Sequence, residues 1–305
     1  MQGRENSPPR AAWVVARRRV ATARDTLGPI PPPDVGACEE GGAVQIATWN
    51  VNGLRARVDY IKLWLAEREP DVVGFQELKM EDDKFPHDAF EDLGYRCVTH
   101  GQKSWNGVAI LSRLPVEHVE SGLPGQADFG SRLIRARVGE GNAAVDFTTL
   151  YCPNGKSTDH DDFPKKLDWF DALRDWAKGF VDSGTATILC GDFNIVPTAL
   201  DTWDEESFVG SIFHTDEERA RLAAVLDVGL RDLYREVEPD TQAFSWWDYR
   251  GGAFHRKHGL RIDFLLGTEA VVSRLRGVEI DRDFRKKKEG LTASDHAPVI
   301  ATLDD

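Results

Sequence analysis

The sequence predicts an α/β chain in which two β-sheets pack face to face with helices on the outside, and three patterns carry that prediction. Short apolar runs of strand length follow one another through short connections. Longer segments with helical periodicity are inserted between some of them. Polar residues collect at the ends of the apolar runs: Asn50 and Asn52, Gln76 and Glu77, Tyr151 and Asn154, Asp192 and Asn194, Asp263, and Asp295-His296. A fold that gathers those ends on one edge would make a single acidic, amide-lined cleft.

Residues 1–43 stand apart. They hold Pro8-Pro9, Arg17-Arg18-Arg19 and Pro31-Pro32-Pro33 with little apolar periodicity. That composition is expected of a disordered tail, or of a start codon placed too far upstream. A single domain is expected over 44–305. Val44 to Thr48 reads as its first strand, ending in Trp49-Asn50-Val51-Asn52-Gly53. Val58, Ile61, Trp64 and Leu65 recur at helical spacing and predict a helix near 57–69, which Pro70 stops. Asp71 to Glu77 returns to strand, and further strands are expected over 107–112, 133–138 and 144–151. A long helix over about 163–181 presents Leu167, Phe170, Leu173, Trp176 and Ala177 on one face. Thr187 to Cys190 is a short buried strand that Gly191 is expected to end. A helix near 216–228 and strands over 261–266 and 299–303 complete the chain.

Hydrophobic residues make up 41% of the sequence and charged residues 29%, an ordinary globular composition without a run of membrane-spanning length. The four cysteines form no CxxC pair, which disfavours zinc and fits free thiols in a reducing compartment. A net charge of −13 argues against broad attraction to a polyanion. It leaves room for carboxylates that hold a divalent cation, with local basic loops meeting phosphates.

Taken alone, Gly191-Asp192-Phe193-Asn194 reads as a strand-ending turn. It is also a carboxylate and a carboxamide two residues apart, an acceptor and possible base beside a group that both donates and accepts. Glu77 and Asn50 each follow an apolar strand and offer oxygen ligands to a hard cation, which needs only a few such groups and keeps several waters. Asp295-His296 sets a carboxylate beside a side chain that titrates near neutrality. Asp263 lies inside an otherwise hydrophobic strand, so it needs a partner. That partner is an imidazole whose tautomer it fixes, or Arg261 on the same strand face. The aromatic block Phe244 to Arg250 suits core packing or insertion beside an unstacked base. The basic run Arg285-Lys286-Lys287-Lys288 lies close enough to Asp295 to reach phosphates flanking a site.

In order along the chain, these segments resemble the exonuclease III branch of the endonuclease/exonuclease/phosphatase superfamily, from about residue 44 to the C-terminus. The blocks are Thr48-Trp-Asn-Val-Asn-Gly-Leu-Arg55, Asp71-Val-Val-Gly-Phe-Gln-Glu-Leu-Lys79, Gly101-Gln-Lys103 and Gly107-Val-Ala-Ile-Leu-Ser112, then Tyr151-Cys-Pro-Asn-Gly155 and Gly191-Asp-Phe-Asn194. They end with Phe244-Ser-Trp-Trp-Asp-Tyr249, Gly259-Leu-Arg-Ile-Asp263 and Ser294-Asp-His-Ala-Pro298. The resemblance implies a four-layer α/β sandwich of two mixed, mainly antiparallel sheets.

It also implies a DNA repair nuclease that cuts 5′ to abasic sites and acts on 3′ ends as a 3′→5′ exonuclease, 3′-phosphatase and phosphodiesterase. Mg²⁺ or Mn²⁺ is the implied cofactor, held by Asn50, Glu77 and Asp295, with Asp192, Asn194 and His296 as further candidate ligands. Tyr151, Asp192, Asn194, Asp263 and His296 are the implied catalytic set, with either Asp192 or His296 as base. Asn52, Arg132, Asn154 and Trp246 are the implied DNA contacts. A monomer acting on damaged duplex DNA, cytoplasmic and near a bacterial nucleoid, is the expected setting. Two other readings compete: a phosphodiesterase of the same superfamily with a non-DNA substrate, and a non-catalytic DNA-binding descendant. The sequence departs from relatives at Ser104-Trp105-Asn106, at Asn154, where enterobacterial enzymes carry glutamine, and over 197–216.

Overall fold

Inner-facing apolar residues of two sheets meet in one core, and the order of the strands explains how. The computed structural model describes residues 42–141, 144–181 and 185–304. The expected tail lies outside the described residues up to position 41, and the first strand takes in Ala43, opposite Asp304. Among the described residues the strands are β1 (Ala43–Asn50), β2 (Val72–Gln76), β3 (Arg96–His100), β4 (Val108–Ser112), β5 (Val116–Ser121) and β6 (Leu133–Val138). They continue as β7 (Val145–Tyr151), β8 (Thr187–Asp192), β9 (Leu230–Asp232), β10 (Asp263–Thr268), β11 (Leu275–Ile280) and β12 (Val299–Asp304). They form two six-stranded sheets, β11-β12-β1-β2-β4-β3 and β5-β6-β7-β8-β10-β9.

Each sheet is antiparallel except for one parallel pair, β1 with β2 and β7 with β8. A parallel pair needs a crossover. The helices Val58–Arg68 and Asp162–Val181 supply the two crossovers. Alternation along the strands then sorts the layers. Ile46, Val72, Phe147, Ile188 and Leu265 fill the space between the sheets. Trp49, Trp64 and Phe75 pack under the first helix, and Leu150, Phe170, Leu189 and Phe264 under the second. The layers are therefore helix, sheet, sheet, helix, as expected. No helix among the described residues is long and apolar enough to cross a membrane.

Four strands had no counterpart in the sequence reading: β3, β5, β9 and β11. All four are sheet edges. Edge strands face solvent on one side and carry charge that discourages pairing with other chains, so they lack the apolar signature of their neighbours. The sequence Val-Glu-His-Val-Glu-Ser of β5 is mostly exposed. A second correction concerns Gly191, which does not end β8. The strand runs on through it to Asp192, with Gly191 opposite Leu150 and Phe264. A Cβ at Gly191 would lie 1.8 Å from the Leu150 carbonyl oxygen, so glycine is required there by close approach of two strands.

Arg261, one of the alternatives for Asp263, turns elsewhere. Its buried guanidinium donates to Asp201 at 2.6 Å and Asp232 at 2.7 Å, pinning the loop after β8 to the start of β10. Burial would raise the Asp201 carboxyl, but Arg261 and Arg235 outweigh it and hold the group below the ordinary range. Its contribution to stability is complete above the unfolded aspartate value near ~4 and is lost as pH falls through the lower folded value. Asp201→Ala leaves a buried cation with half its partners. It is expected to cost about 3–5 kcal/mol, measured by denaturant unfolding at neutral pH.

Candidate active site

At one end of the intersheet core the inward rows change character. Ile46 and Thr48 are followed on the same face of β1 by Asn50, Val72 and Gly74 on β2 by Gln76, and Ile188 and Cys190 on β8 by Asp192. Tyr151 pairs with Asp192, and Asp192 with Asp263, so three polar side chains form one row across β7, β8 and β10. The two-residue period that builds the core thus delivers these groups, buried, to its open end. Just beyond the strands the chain turns sharply. Asn52, Glu77, Lys79 and Asn194 all have positive φ (45°, 56°, 55° and 50°), a conformation costly for non-glycine residues and concentrated at functional sites.

Hydrogen bonds tie the two sheets together at this point. The Asn50 amide donates to Glu77 Oε1 at 2.8 Å and to Asp192 Oδ2 at 2.9 Å, while its Oδ1 accepts from the Asn52 backbone N–H. Asp192 Oδ1 accepts from the Asn194 backbone N–H at 2.9 Å, and the Asn194 side chain donates to the Cys152 carbonyl at 3.0 Å. Asn194 therefore orients the carboxylate through its backbone. His296 is held at Nδ1 by Asp263, at 2.9 Å and 3.1 Å to the two carboxylate oxygens, and its Nε2 faces Asp192 Oδ2 at 3.9 Å. Of the two partners considered for Asp263, the imidazole is the one present.

Burial raises the Asp192 carboxyl well above the ordinary range, with neighbouring Asp263 and Glu77 adding to the rise and His296 opposing it. For His296, burial pulls the imidazolium down, but Asp263 first, then Asp192 and Asp295, push it up to about 10. Burial also opposes ionisation of Glu77, yet Lys79 at 2.8 Å and the Asn50 amide bring its carboxyl below the usual value. Tyr151 is raised by burial and by Glu77 and Asp192, so its hydroxyl remains a donor.

One ligand atom from each of Glu77, Asp192 and His296 lies within 4.8 Å of the others. The oxygen donors, and a buried carboxylate left short of positive charge, suit a hard divalent cation. Asp295 stands outside this trio. Its two oxygens accept from Asn52 at 2.8 Å and from the Trp246 indole at 3.1 Å.

The implied DNA contacts surround the cluster. Trp246 is half-buried against Val196, Leu260 and Ile262, whereas its neighbour Trp247 is wholly core. Arg132 lies over the Tyr151 ring at 4.8 Å and donates to the carbonyls of Phe129 and Tyr151, bracing the tyrosine from behind. Asn154 is exposed in a groove of about 580 Å³ shared with Arg132, Lys156 and Lys165. The basic run after β11 divides. Arg285 is buried and donates to the Asp295 and Trp247 carbonyls, and Lys286 and Lys288 pair with Asp283. Arg285 is thus a strut for the Asp295 backbone, while Lys286 and Lys287 are exposed.

Several residues had no assigned role in the sequence. The Ser245 hydroxyl donates to Asp263 at 2.6 Å, and the Ser294 hydroxyl to the Asn50 carbonyl at 2.7 Å. Neither has a local pattern to reveal it. Lys166 does, because it sits four residues before Phe170 on the apolar face of its helix. Fully buried, it donates to the carbonyl of Asn194 at 2.7 Å and pairs with Glu218 at 2.5 Å.

A four-layer sandwich with acids, amides and an imidazole at its open end defines the class of phosphoester-cleaving α/β proteins. The model of the endonuclease/exonuclease/phosphatase family matches residues 47–296, and the chain belongs to that family. It is 33% identical to exodeoxyribonuclease III of Haemophilus influenzae over 267 residues, covering 85% of this chain and 99% of that one. A Neisseria structure, the 3′ phosphatase NExo bound to product DNA hairpin, superposes with a TM-score of 0.81 at 39% identity over 86% of this chain and all of that one. An AP endonuclease from Archaeoglobus fulgidus does so with the same TM-score and coverage at 32% identity.

Proposed function

We propose that the protein is a DNA repair nuclease dependent on Mg²⁺ or Mn²⁺. It hydrolyses the phosphodiester 5′ to abasic sites and acts on 3′ ends of duplex DNA as an exonuclease, phosphatase and phosphodiesterase, working as a monomer. The observation that carries this reading is the linked set Asp263–His296, Asp192, Asn50 and Glu77. It sits in a chain whose relatives include an exodeoxyribonuclease III, a 3′ phosphatase and an AP endonuclease.

Each group has a role set by its environment. Asp192, raised toward neutrality by burial, is the general base that takes a proton from the attacking water. The Asn194 N–H keeps that carboxylate aimed. His296, charged because Asp263 faces it, binds a non-bridging phosphoryl oxygen through Nε2 and stabilises the charge that builds there. A charged imidazole is a poor metal ligand, and Asn50 turns its amide nitrogen to the cluster, so Glu77 and Asp192 are the residues that would hold the ion, with Asn50 aiming both carboxylates. A bound Mg²⁺ or Mn²⁺ would supply Lewis-acid stabilisation of the phosphoryl and leaving oxygens. Tyr151, kept protonated, donates to the phosphate. Trp246, Asn52 and Asn154 meet the DNA around the break.

The test compares duplexes carrying one abasic analogue, a 3′-phosphate or an undamaged end, in Mg²⁺, in Mn²⁺ and in EDTA. Incision and 3′ processing are expected only with metal. EDTA is expected to leave the cooperative thermal transition in place, because the ion serves chemistry at the rim of a packed core. Hydrolysis of small phosphodiesters with no cleavage of DNA would transfer the protein to the other substrate class.

A further inference from the structure

Trp105 is 70% exposed, while Trp49, Trp64, Trp169 and Trp247 are wholly buried. Among the described residues none hydrogen-bonds or stacks on its indole, yet the loop that carries it is firmly built. Gln102 N–H donates to the Met80 carbonyl at 2.8 Å, Gly107 N–H to Ser131 at 2.8 Å, and Trp105 N–H to Lys103 at 2.9 Å. Asn106 is buried, with its amide 3.2 Å from both the Phe129 carbonyl and Gln102 Oε1. The residues on both sides, Ser104 and Asn106, have positive φ of 70° and 54°. Such backbone is costly for residues with a Cβ, and here it points a large aromatic side chain at solvent.

The loop is joined directly to the candidate active site. The Asn106 carbonyl accepts from Lys79 N–H at 2.9 Å, and the Lys79 ammonium in turn binds Glu77 and Asn52. Lys103 and Ser104, the residues just before Trp105, line a groove of about 450 Å³ together with Asn52, Arg55, Lys79 and Lys84, with Glu81 as its one acid. Lys79 and Lys84 are paired with Glu77 and Glu81, while among the described residues Arg55 and Lys103 carry no ion pair. In a chain of net charge −13, a groove with this surplus of cations marks a local anion path. A cationic groove beside an exposed aromatic ring is the combination that binds an unpaired nucleic-acid strand, with phosphates along the groove and a base on the ring.

We infer that Trp105 is a stacking platform for an unstacked base of a DNA strand whose phosphates follow the Arg55–Lys103 groove to the Glu77 cluster. The platform gives the enzyme a preference for frayed or single-stranded ends over closed duplex. The inference rests on the nuclease reading.

Its test measures binding of a short single-stranded oligonucleotide and of a blunt duplex of the same sequence in EDTA, by fluorescence anisotropy. Trp105→Ala is expected to weaken single-strand binding about tenfold and duplex binding about threefold or less. Trp105→Phe, which keeps a stacking face, is expected to stay near the wild type in affinity while losing part of the tryptophan quenching seen on titration. Unchanged single-strand affinity in Trp105→Ala, or equal losses on both substrates, overturns the inference. In parallel, wild type and Trp105→Ala are assayed on an abasic duplex with Mg²⁺. Cleavage by both, with no binding difference, removes the platform and leaves the nuclease. Trp105-dependent strand binding with no cleavage by wild type removes the nuclease and leaves the platform.

Discussion

Asp192→Asn is expected to lower kcat on an abasic duplex by about 10²–10⁴-fold, the range for loss of a positioned general base. KM should change little, because the replacement keeps the shape of the side chain and an oxygen to accept from the Asn50 amide, while its new amide nitrogen faces the Asn194 N–H and gives up that one bond. The same change should not destabilise the fold, and this separates catalysis from structure. The Asp192 carboxyl is raised by burial and by Asp263 and Glu77, so its ionised form is disfavoured in the native state. A group of that kind withdraws stability as pH rises from its unfolded value through its folded one. Removing the charge should therefore offset the lost Asn194 N–H bond, about 1 kcal/mol, and leave the unfolding midpoint little changed at neutral pH. Single-turnover cleavage and thermal unfolding of the variant check both halves. A loss of activity accompanied by a large loss of stability would assign Asp192 to structure.

Asp263→Asn should produce the second large loss, about 10²–10³-fold at mildly alkaline pH, through a different route. Asp263 is the leading cause that lifts His296 to about 10 against the pull of burial. Without it, burial brings the imidazole down, and the proton leaves as pH rises through the new, lower value. In the wild type the charged imidazolium persists to strongly alkaline pH. In the variant the rate should fall with rising pH from near or below neutrality, with partial recovery in acid. A pH–rate profile parallel to the wild type, merely lower, would show that Asp263 does not act through the charge of His296.

The layers of the fold and most of the site's side chains were legible because both rest on short-range periodicity. Inward rows such as Ile46-Thr48-Asn50 and Ile188-Cys190-Asp192 announce themselves through alternation, and the motif blocks keep their order along the chain. The edge strands were not legible, since strands such as β5 owe their state to hydrogen bonds with a neighbour rather than to their own residues. The place of Gly191 was misread because a glycine before Asp192 looks like a turn, and only the Leu150 carbonyl beside it explains why the strand goes on. The supports of the site were hidden for a related reason. Ser245 reaches Asp263 across 18 residues and Ser294 reaches Asn50 across 244, and no local pattern encodes such distances. Arg285 shows the converse: a basic run reads as a path to phosphates until the Asp295 carbonyl is placed against its first residue.

The central claim is that metal-dependent phosphodiester hydrolysis occurs at the Glu77–Asp192–His296 cluster. Incubating wild type and Glu77→Gln with a duplex carrying a single abasic analogue, across a Mg²⁺ titration that starts from EDTA, tests it most directly. Incision 5′ to the lesion that rises with Mg²⁺, and that needs far more Mg²⁺ in Glu77→Gln, is the predicted result. Incision that persists in EDTA, or that shows the same Mg²⁺ dependence in both proteins, would contradict it.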